Sequence, residues 1–283
     1  MSCFRKFLVL AHAILVFLCL QTSIYGDDSF RLCNKYIHGK DYVYNGLEKV
    51  GINLSMFDDN LITVKMQFLY HTVAQEPEED GFFYVNSQIL DLKMETEKDG
   101  KEIIPPLDRQ DSYWKMVYKV KCNREGKPLE IMKPDGTTVP FAHSFRELNT
   151  CLFFEWPDEQ VTIGDSWVRN INISWPREGV DGYIQAREIY KIISIEDCHG
   201  YRCAKIQCDL TYEGGVDSID DQCITMKVSI KGKGFIYFAV EEGFPVMYLS
   251  ATDILLDVGE NQGGKMNIFI DSSLIFNDLA DKQ

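Results

Sequence analysis

The chain has 283 residues, of which 45% are hydrophobic, 12% aromatic and 25% charged, the mixture of a globular protein and not of a disordered or fibrous one. Its 29 Lys and Arg against 43 Asp and Glu leave a formal charge of −14 at pH 7. Nucleic-acid binding relies on a cationic face that releases counterions from phosphate, so the charge balance argues against that partner class.

At the N-terminus, Arg5 and Lys6 precede an apolar run over residues 7–20, broken only by His12 and followed by a polar stretch that ends in Gly26. The run is shorter than the ~20 apolar residues that span a bilayer. Basic start, short apolar run and small-residue exit predict a cleaved secretory signal over residues 1–26 and a secreted, extracellular (or periplasmic) protein. No later window is apolar and long enough for a transmembrane span, and the polar tail from Asn277 to Gln283 carries no lipid-anchor signal. Loss of Arg5 and Lys6 takes the mature charge to −16.

Seven cysteines follow the leader: Cys33, Cys122, Cys151, Cys198, Cys203, Cys208 and Cys223. In an exported chain these are disulfide candidates before they are metal ligands. Cys198 and Cys203 flank a short turn, and Cys208 and Cys223 flank the loop around Gly214-Gly215. The odd number leaves one thiol free or available for a disulfide-linked dimer. The spacings lack paired C-x-x-C knuckles, so neither zinc nor any other cofactor is expected. Asn53-Leu54-Ser55 and Asn172-Ile173-Ser174 fit the glycosylation acceptor pattern, which applies if the source is eukaryotic.

Beyond the leader, much of the chain alternates with period two. Ile62, Val64, Met66, Phe68 and Tyr70 share one face of a run over residues 61–70, with Thr63, Lys65 and Gln67 opposite. Trp114, Met116, Tyr118, Val120 and Cys122 do the same over 113–122. Further strands are predicted over 81–85, 168–174, 184–195, 203–212, 224–230, 234–240, 246–256 and 266–275, separated by Gly- and Asp-rich turns. One segment departs: Phe141, Phe145, Leu148 and Leu152 are spaced by four, three and four, which predicts a helix over 141–153. The fold class expected is mainly β, with antiparallel sheets in a curved half-barrel or a sandwich-like arrangement. The chain divides into an N-terminal β unit (27–140), a helix and connector (141–163) and a C-terminal β unit (164–283).

The two β units echo each other. Arg124-Glu125-Gly126-Lys127-Pro128-Leu129 matches Glu241-Glu242-Gly243-Phe244-Pro245-Val246, both placing E-G-x-P-apolar between strands. Gly39-Lys40-Asp41-Tyr42-Val43 matches Gly164-Asp165-Ser166-Trp167-Val168 at the head of a strand. Duplication of one β unit explains this, and so does reuse of common turn chemistry.

The stretch Trp156-Pro157-Asp158-Glu159-Gln160-Val161-Thr162-Ile163-Gly164-Asp165-Ser166-Trp167 resembles the P-x-x-x-V-x-x-G-D-S-W motif of an uncharacterised group of exported, β-rich bacterial proteins and lipoproteins. Tyr190-Lys191-Ile192, Gly200-Tyr201-Arg202-Cys203-Ala204-Lys205-Ile206 and Gly232-Lys233-Gly234 are similar to strand motifs that follow in that group. The resemblance implies a β-sheet fold without an assigned activity. The chain departs from the lipoprotein members, because Val16-Phe17-Leu18 ahead of Cys19 lacks the small residues of a lipidation site, and from the group in its density of cysteines.

Gly164-Asp165-Ser166 also spells the start of a serine-hydrolase motif, but no D-x-x-H follows to activate Ser166, and an α/β fold would be required. His38, His71, His143 and His199 form no H-x-x-x-H pair. The acidic runs at 76–80 and 217–221 lack the order of a calcium loop, and no phosphate-binding glycine loop is present. These observations give no catalytic residues and no metal ligands. They favour a secreted binding or carrier protein for an apolar or amphipathic ligand. A structural surface-interaction protein, or a hydrolase using Ser166, are the alternatives.

Overall fold

The computed structural model describes residues 29–54, 60–78, 81–98, 101–103, 118–124, 126, 128–132, 154–177, 180–216, 226–258 and 264–277. They form a single antiparallel sheet of 12 strands: β1 (Asp41–Leu54), β2 (Asn60–Ala74), β3 (Phe83–Lys98), β4 (Lys101–Ile103), β5 (Tyr118–Cys122), β6 (Pro128–Met132), β7 (Ser166–Arg177), β8 (Val180–Cys198), β9 (Tyr201–Val216), β10 (Met226–Ala239), β11 (Phe244–Val258) and β12 (Gly264–Phe276). Across the sheet the order is β6-β5-β3-β2-β1-β12-β11-β10-β9-β8-β7, with β4 pairing to β3 alone. Each half is a meander, and the halves join where the first strand pairs with the last, from Tyr44 opposite Phe276 to Leu54 opposite Met266. The sheet is curved and open, not closed into a barrel and not a sandwich of two sheets. The helix predicted over 141–153 and the leader over 1–26 lie outside the described residues.

Most predicted runs fall inside observed strands, but three readings change. The runs 224–230 and 234–240 are one strand, β10, which passes unbroken through Gly232 and Gly234. Both glycines are buried, Gly234 against Cys208 and Ser250 of the flanking strands. β1 extends to Leu54 although Gly46 and Gly51 interrupt its pattern. The rings of Phe68 on β2 and Phe269 on β12 lie across Gly46 and Gly51, supplying the side-chain surface that those glycines lack. β3 runs on from the predicted 81–85 to Lys98. In its second half Lys93, Glu95 and Glu97 share one side, and Leu92, Met94, Thr96 and the terminal Lys98 share the other.

One face carries the core, and we call it the inner face. At the end of the sheet near residues 41–44, 74, 83–85, 198–206 and 236–246, the largest buried side chains are Tyr42, Tyr44, Phe238, Phe244, Leu32, Ile192, Ile206 and Ile236. Two segments without strands cover this end: Phe30 and Leu32 from one, Phe154, Trp156 and Val161 from the other, all packed on Ile206, Ile236 and Phe238. Phe30 and Val161 exchange both backbone hydrogen bonds, at 2.9 and 2.8 Å, and so hold the two segments together. Buried Asn34 ties three parts of the chain. Its amide donates to the carbonyls of Gly126 (3.0 Å) and Phe154 (3.3 Å), and its Oδ1 accepts from the Trp156 indole N–H (3.0 Å).

Candidate functional site: the inner sheet face

The register places side chains of neighbouring strands in rows across the inner face. In the row at the end of the sheet away from the two covering segments, Ile62, Ile52, Ile268, Ile254 and Ile230 are direct cross-strand partners on β2, β1, β12, β11 and β10. Val64, Val50 and Ile270 begin the next row, which passes to Thr252, Gly232 and Leu210. At about 4.8 Å between strands, the five isoleucines cover about 20 Å. All five are half-buried. Among the described residues no core cluster contains Ile52, Ile62, Ile254 or Ile268, and the two covering segments pack on the opposite, aromatic end.

One row closer to the core the face turns polar. Met66, Glu48, Ser272, Ser250, Gly234, Cys208, Tyr190 and Trp167 are successive partners from β2 to β7. Glu48 has no hydrogen-bond or ion-pair partner among the described residues, and burial pushes its carboxyl above its ordinary titration range. The charged residues nearest in register, Lys49, Lys65 and Asp271, point to the outer face. On the core side of Glu48 lies Gly46 with the Phe68 ring across it, and on the far side Val50.

At the β7–β8 flank the same face holds a satisfied ionic cluster. Buried Glu188 accepts from the Tyr190 hydroxyl at 2.7 Å, from the Tyr212 hydroxyl and from Arg169 Nη1 at 3.2 Å. Arg169 Nε also pairs with Glu155 at 2.8 Å. Burial, then the adjacent Glu188 carboxylate, pushes the Tyr190 hydroxyl well up, so it stays a neutral donor. The Tyr190 ring stacks on Trp167 at 5.3 Å and 13°. Every charge here has a partner, so the cluster fixes β7 and β8 and offers no free group for chemistry.

The outer face is mixed: Lys49, Lys65, Lys93, Glu95, Lys231, Lys233, Asp253 and Asp271 alternate with the inner residues, and Leu47, Leu61, Phe235 and Leu255 are exposed among them. Asn172 lies exposed on this face. Asn53 is half-buried there between β2 and β12, its side-chain oxygen without a hydrogen-bond partner.

Cys33, Cys198 and Cys203 are free thiols, and Cys151 and Cys223 lie outside the described residues. The structure brings one candidate pair together. His199 (φ 53°) and Gly200 (φ 81°) form a two-residue turn, both left-handed, so Cys198 faces Tyr201 and Cys203 lies one step along the same face. The two thiols hydrogen-bond to each other, and burial first, then the Cys198 neighbour, pushes Cys203 up to about 12. Cys122 and Cys208 are buried in separate clusters.

Ser166 is exposed at the head of β7, opposite Lys191. Asp165 accepts from the Thr162 N–H at 2.8 Å and closes the turn at Gly164, φ 96°. His199 sits eight residues along β8 from Lys191, roughly 25 Å away at the rise of a strand, so it does not reach Ser166. His143 lies outside the described residues. The remaining histidines, His38 and His71, lie at the β1–β2 end of the sheet. No group of three metal-ligating side chains occurs among the described residues, and none of their helices is long and apolar enough to cross a membrane.

No family model and no curated protein matches the chain. Among solved structures it is similar to a lipovitellin described for its lipid–protein interactions (12% identity, 86% of this chain and 25% of that one, TM-score 0.44). It is also similar to a putative exported protein of YmcC-like fold from Bacteroides fragilis (11% identity, 87% and 97%, TM-score 0.29). A third likeness is to the β domain of the Bordetella autotransporter BrkA (10% identity, 83% and 98%, TM-score 0.30). The chain thus spans a quarter of the lipovitellin chain that it matches.

Proposed function

We propose that the protein is an exported, non-enzymatic carrier that holds an apolar chain of a lipid or other amphiphile on the inner face of its sheet. The observation that carries this reading is the isoleucine row from Ile62 to Ile230, half-buried and, from Ile62 to Ile254, outside the core clusters of the described residues. Leaving that much aliphatic surface in water disfavours the folded chain by about 25 cal/mol per Å², and an acyl chain laid over it removes the penalty. On the outer face charged residues interrupt the exposed Leu47, Leu61, Phe235 and Leu255, whereas the isoleucine row of the inner face is continuous across five strands.

Delipidated protein should raise the fluorescence of the uncharged probe N-phenyl-1-naphthylamine saturably and gain thermal stability from long-chain amphiphiles. Ile254→Asp, which places a charge in the middle of the row, should remove both effects while the β-sheet circular dichroism persists. Wild-type protein that binds neither probe nor amphiphile overturns the reading.

A further inference from the structure

From the polar row we infer that the amphiphile carried on the inner face has a protonated amine head group, received by Glu48 with Ser272 and Ser250 beside it, and that fatty-acid anions are discriminated against. This inference rests on the carrier reading and adds the chemistry of the polar end.

Three observations place the head group. First, half-buried Glu48 lacks a counter-charge among the described residues. Buried Glu188 of the same face is saturated by Arg169, Tyr190 and Tyr212. A half-buried carboxylate with no partner is costly, and a ligand cation relieves that cost only in the complex. Second, Ser272 is the direct partner of Glu48 on β12, and Ser250 is the partner of Ser272 on β11. The two hydroxyls extend the polar spot sideways with oxygens that accept from an ammonium. Third, the spot lies at the boundary between the two chemistries of the face. Phe68 and the aromatic core close it on one side, and Val50, Ile52, Ile270 and Ile268 run away from it on the other. A head group seated at Glu48 therefore directs its chain along β1 and β12 onto the isoleucine row.

Charge also excludes the reverse pairing. A fatty-acid carboxylate at this spot would stand beside Glu48 with no cation next to it among the described residues, since Lys49 and Lys65 point outward and Lys98 lies beyond Ile62 at the far end of the isoleucine row. Like charges in a half-buried site repel strongly.

The test uses delipidated mature protein, the uncharged naphthylamine probe and two competitors of equal chain length, hexadecylamine and palmitate. Salt is raised to screen attraction by the net negative charge of the whole protein. The amine is expected to displace the probe at a concentration about tenfold or more below that of palmitate, the scale of a charge-assisted hydrogen bond. Glu48→Gln should bring the two competitors level, and Glu48→Lys should reverse their order. If palmitate competes as well as the amine in the wild type, or if Glu48→Gln leaves the preference unchanged, this assignment is wrong while the carrier reading stands. If the probe itself does not bind, the carrier reading fails first. The wild-type comparison needs no variant to fold.

Discussion

Gly126 and Gly243 share one backbone conformation, φ 74° and 73°, and rest against consecutive residues of the same segment, Gly126 on Asn34 and Gly243 on Lys35. Each sits in an E-G-x-P turn, and each turn is followed by the same irregularity. The register slips so that Leu129 in one hairpin and Val246 in the other, each directly after a proline, has no partner. Proline lacks the N–H that the ladder needs, and a bulge at the next residue restores the pairing. Gly39 and Gly164 correspond as well. Each lies two residues ahead of a strand, is left-handed, and donates its N–H to the hairpin partner of that strand, to Ala74 of β2 at 3.1 Å and to Ile192 of β8 at 2.9 Å. Both matched turn pairs in the sequence thus have matched geometry.

Substitution at these glycines should separate two costs. In Gly126→Ala and Gly243→Ala the new Cβ would stand 2.5 Å from the Asn34 carbonyl oxygen and 2.7 Å from that of Cys33. Left-handed strain adds to overlap with backbone, so each should lose about 2–4 kcal/mol. Gly39→Ala and Gly164→Ala meet nothing within 4 Å and should lose only the strain, about 1 kcal/mol. Urea denaturation midpoints check the order.

Asn34→Leu should destabilise the protein by about 1–3 kcal/mol despite adding apolar surface, because it strands the Trp156 indole N–H and the carbonyls of Gly126 and Phe154. Trp156 packs 4.7 Å from Phe238, so loosening of its indole should also appear as a red shift of tryptophan fluorescence before global unfolding.

Arg169→Met leaves Glu188 buried without its cation and should cost about 3–5 kcal/mol. Adding Glu188→Gln to that variant should recover part of the loss, since a neutral amide still accepts from Tyr190 and Tyr212. Thermal unfolding of the two singles and the double measures the coupling. Full additivity would show that the cluster does not act as a unit.

Cys203 links stability to alkaline pH. Its thiol is pushed from 9.0 to about 12 in the fold, so the folded state holds a proton that the unfolded state has already released. The contribution is complete below pH 9 and is lost as pH rises towards 12. Under reducing conditions the wild type should lose stability more steeply than Cys203→Ala over that range. Iodoacetamide should reach half-buried Cys33 well before Cys203, which needs unfolding to react. In exported protein Cys198 and Cys203 should be recovered as one disulfide-linked pair on peptide mapping without reductant, given their hydrogen-bonded thiols.

Side-chain alternation is local, and it was readable. The inner residues of β2, from Ile62 to Tyr70, and the turn chemistry at Gly126, Gly164 and Gly243 follow from sequence alone. Where neighbours on other strands decide, the sequence was silent. Gly46 and Gly51 disguised β1 because the rings that complete its surface belong to Phe68 and Phe269. Glu48 had no mark of its own in the sequence, being one acid among 43.

Composition, alternation and turn residues by themselves determined a mainly β chain with one wet side, since each depends on residues a few positions apart. Only the tertiary structure decided that β1 closes onto β12 across more than half the chain, and this pairing aligns Ile52 with Ile268 and Glu48 with Ser272. Strand order and register are set by contacts between distant segments, whose free energy is absent from any local pattern. The carbon-rich face and the placing of Glu48 on it exist only once those contacts form.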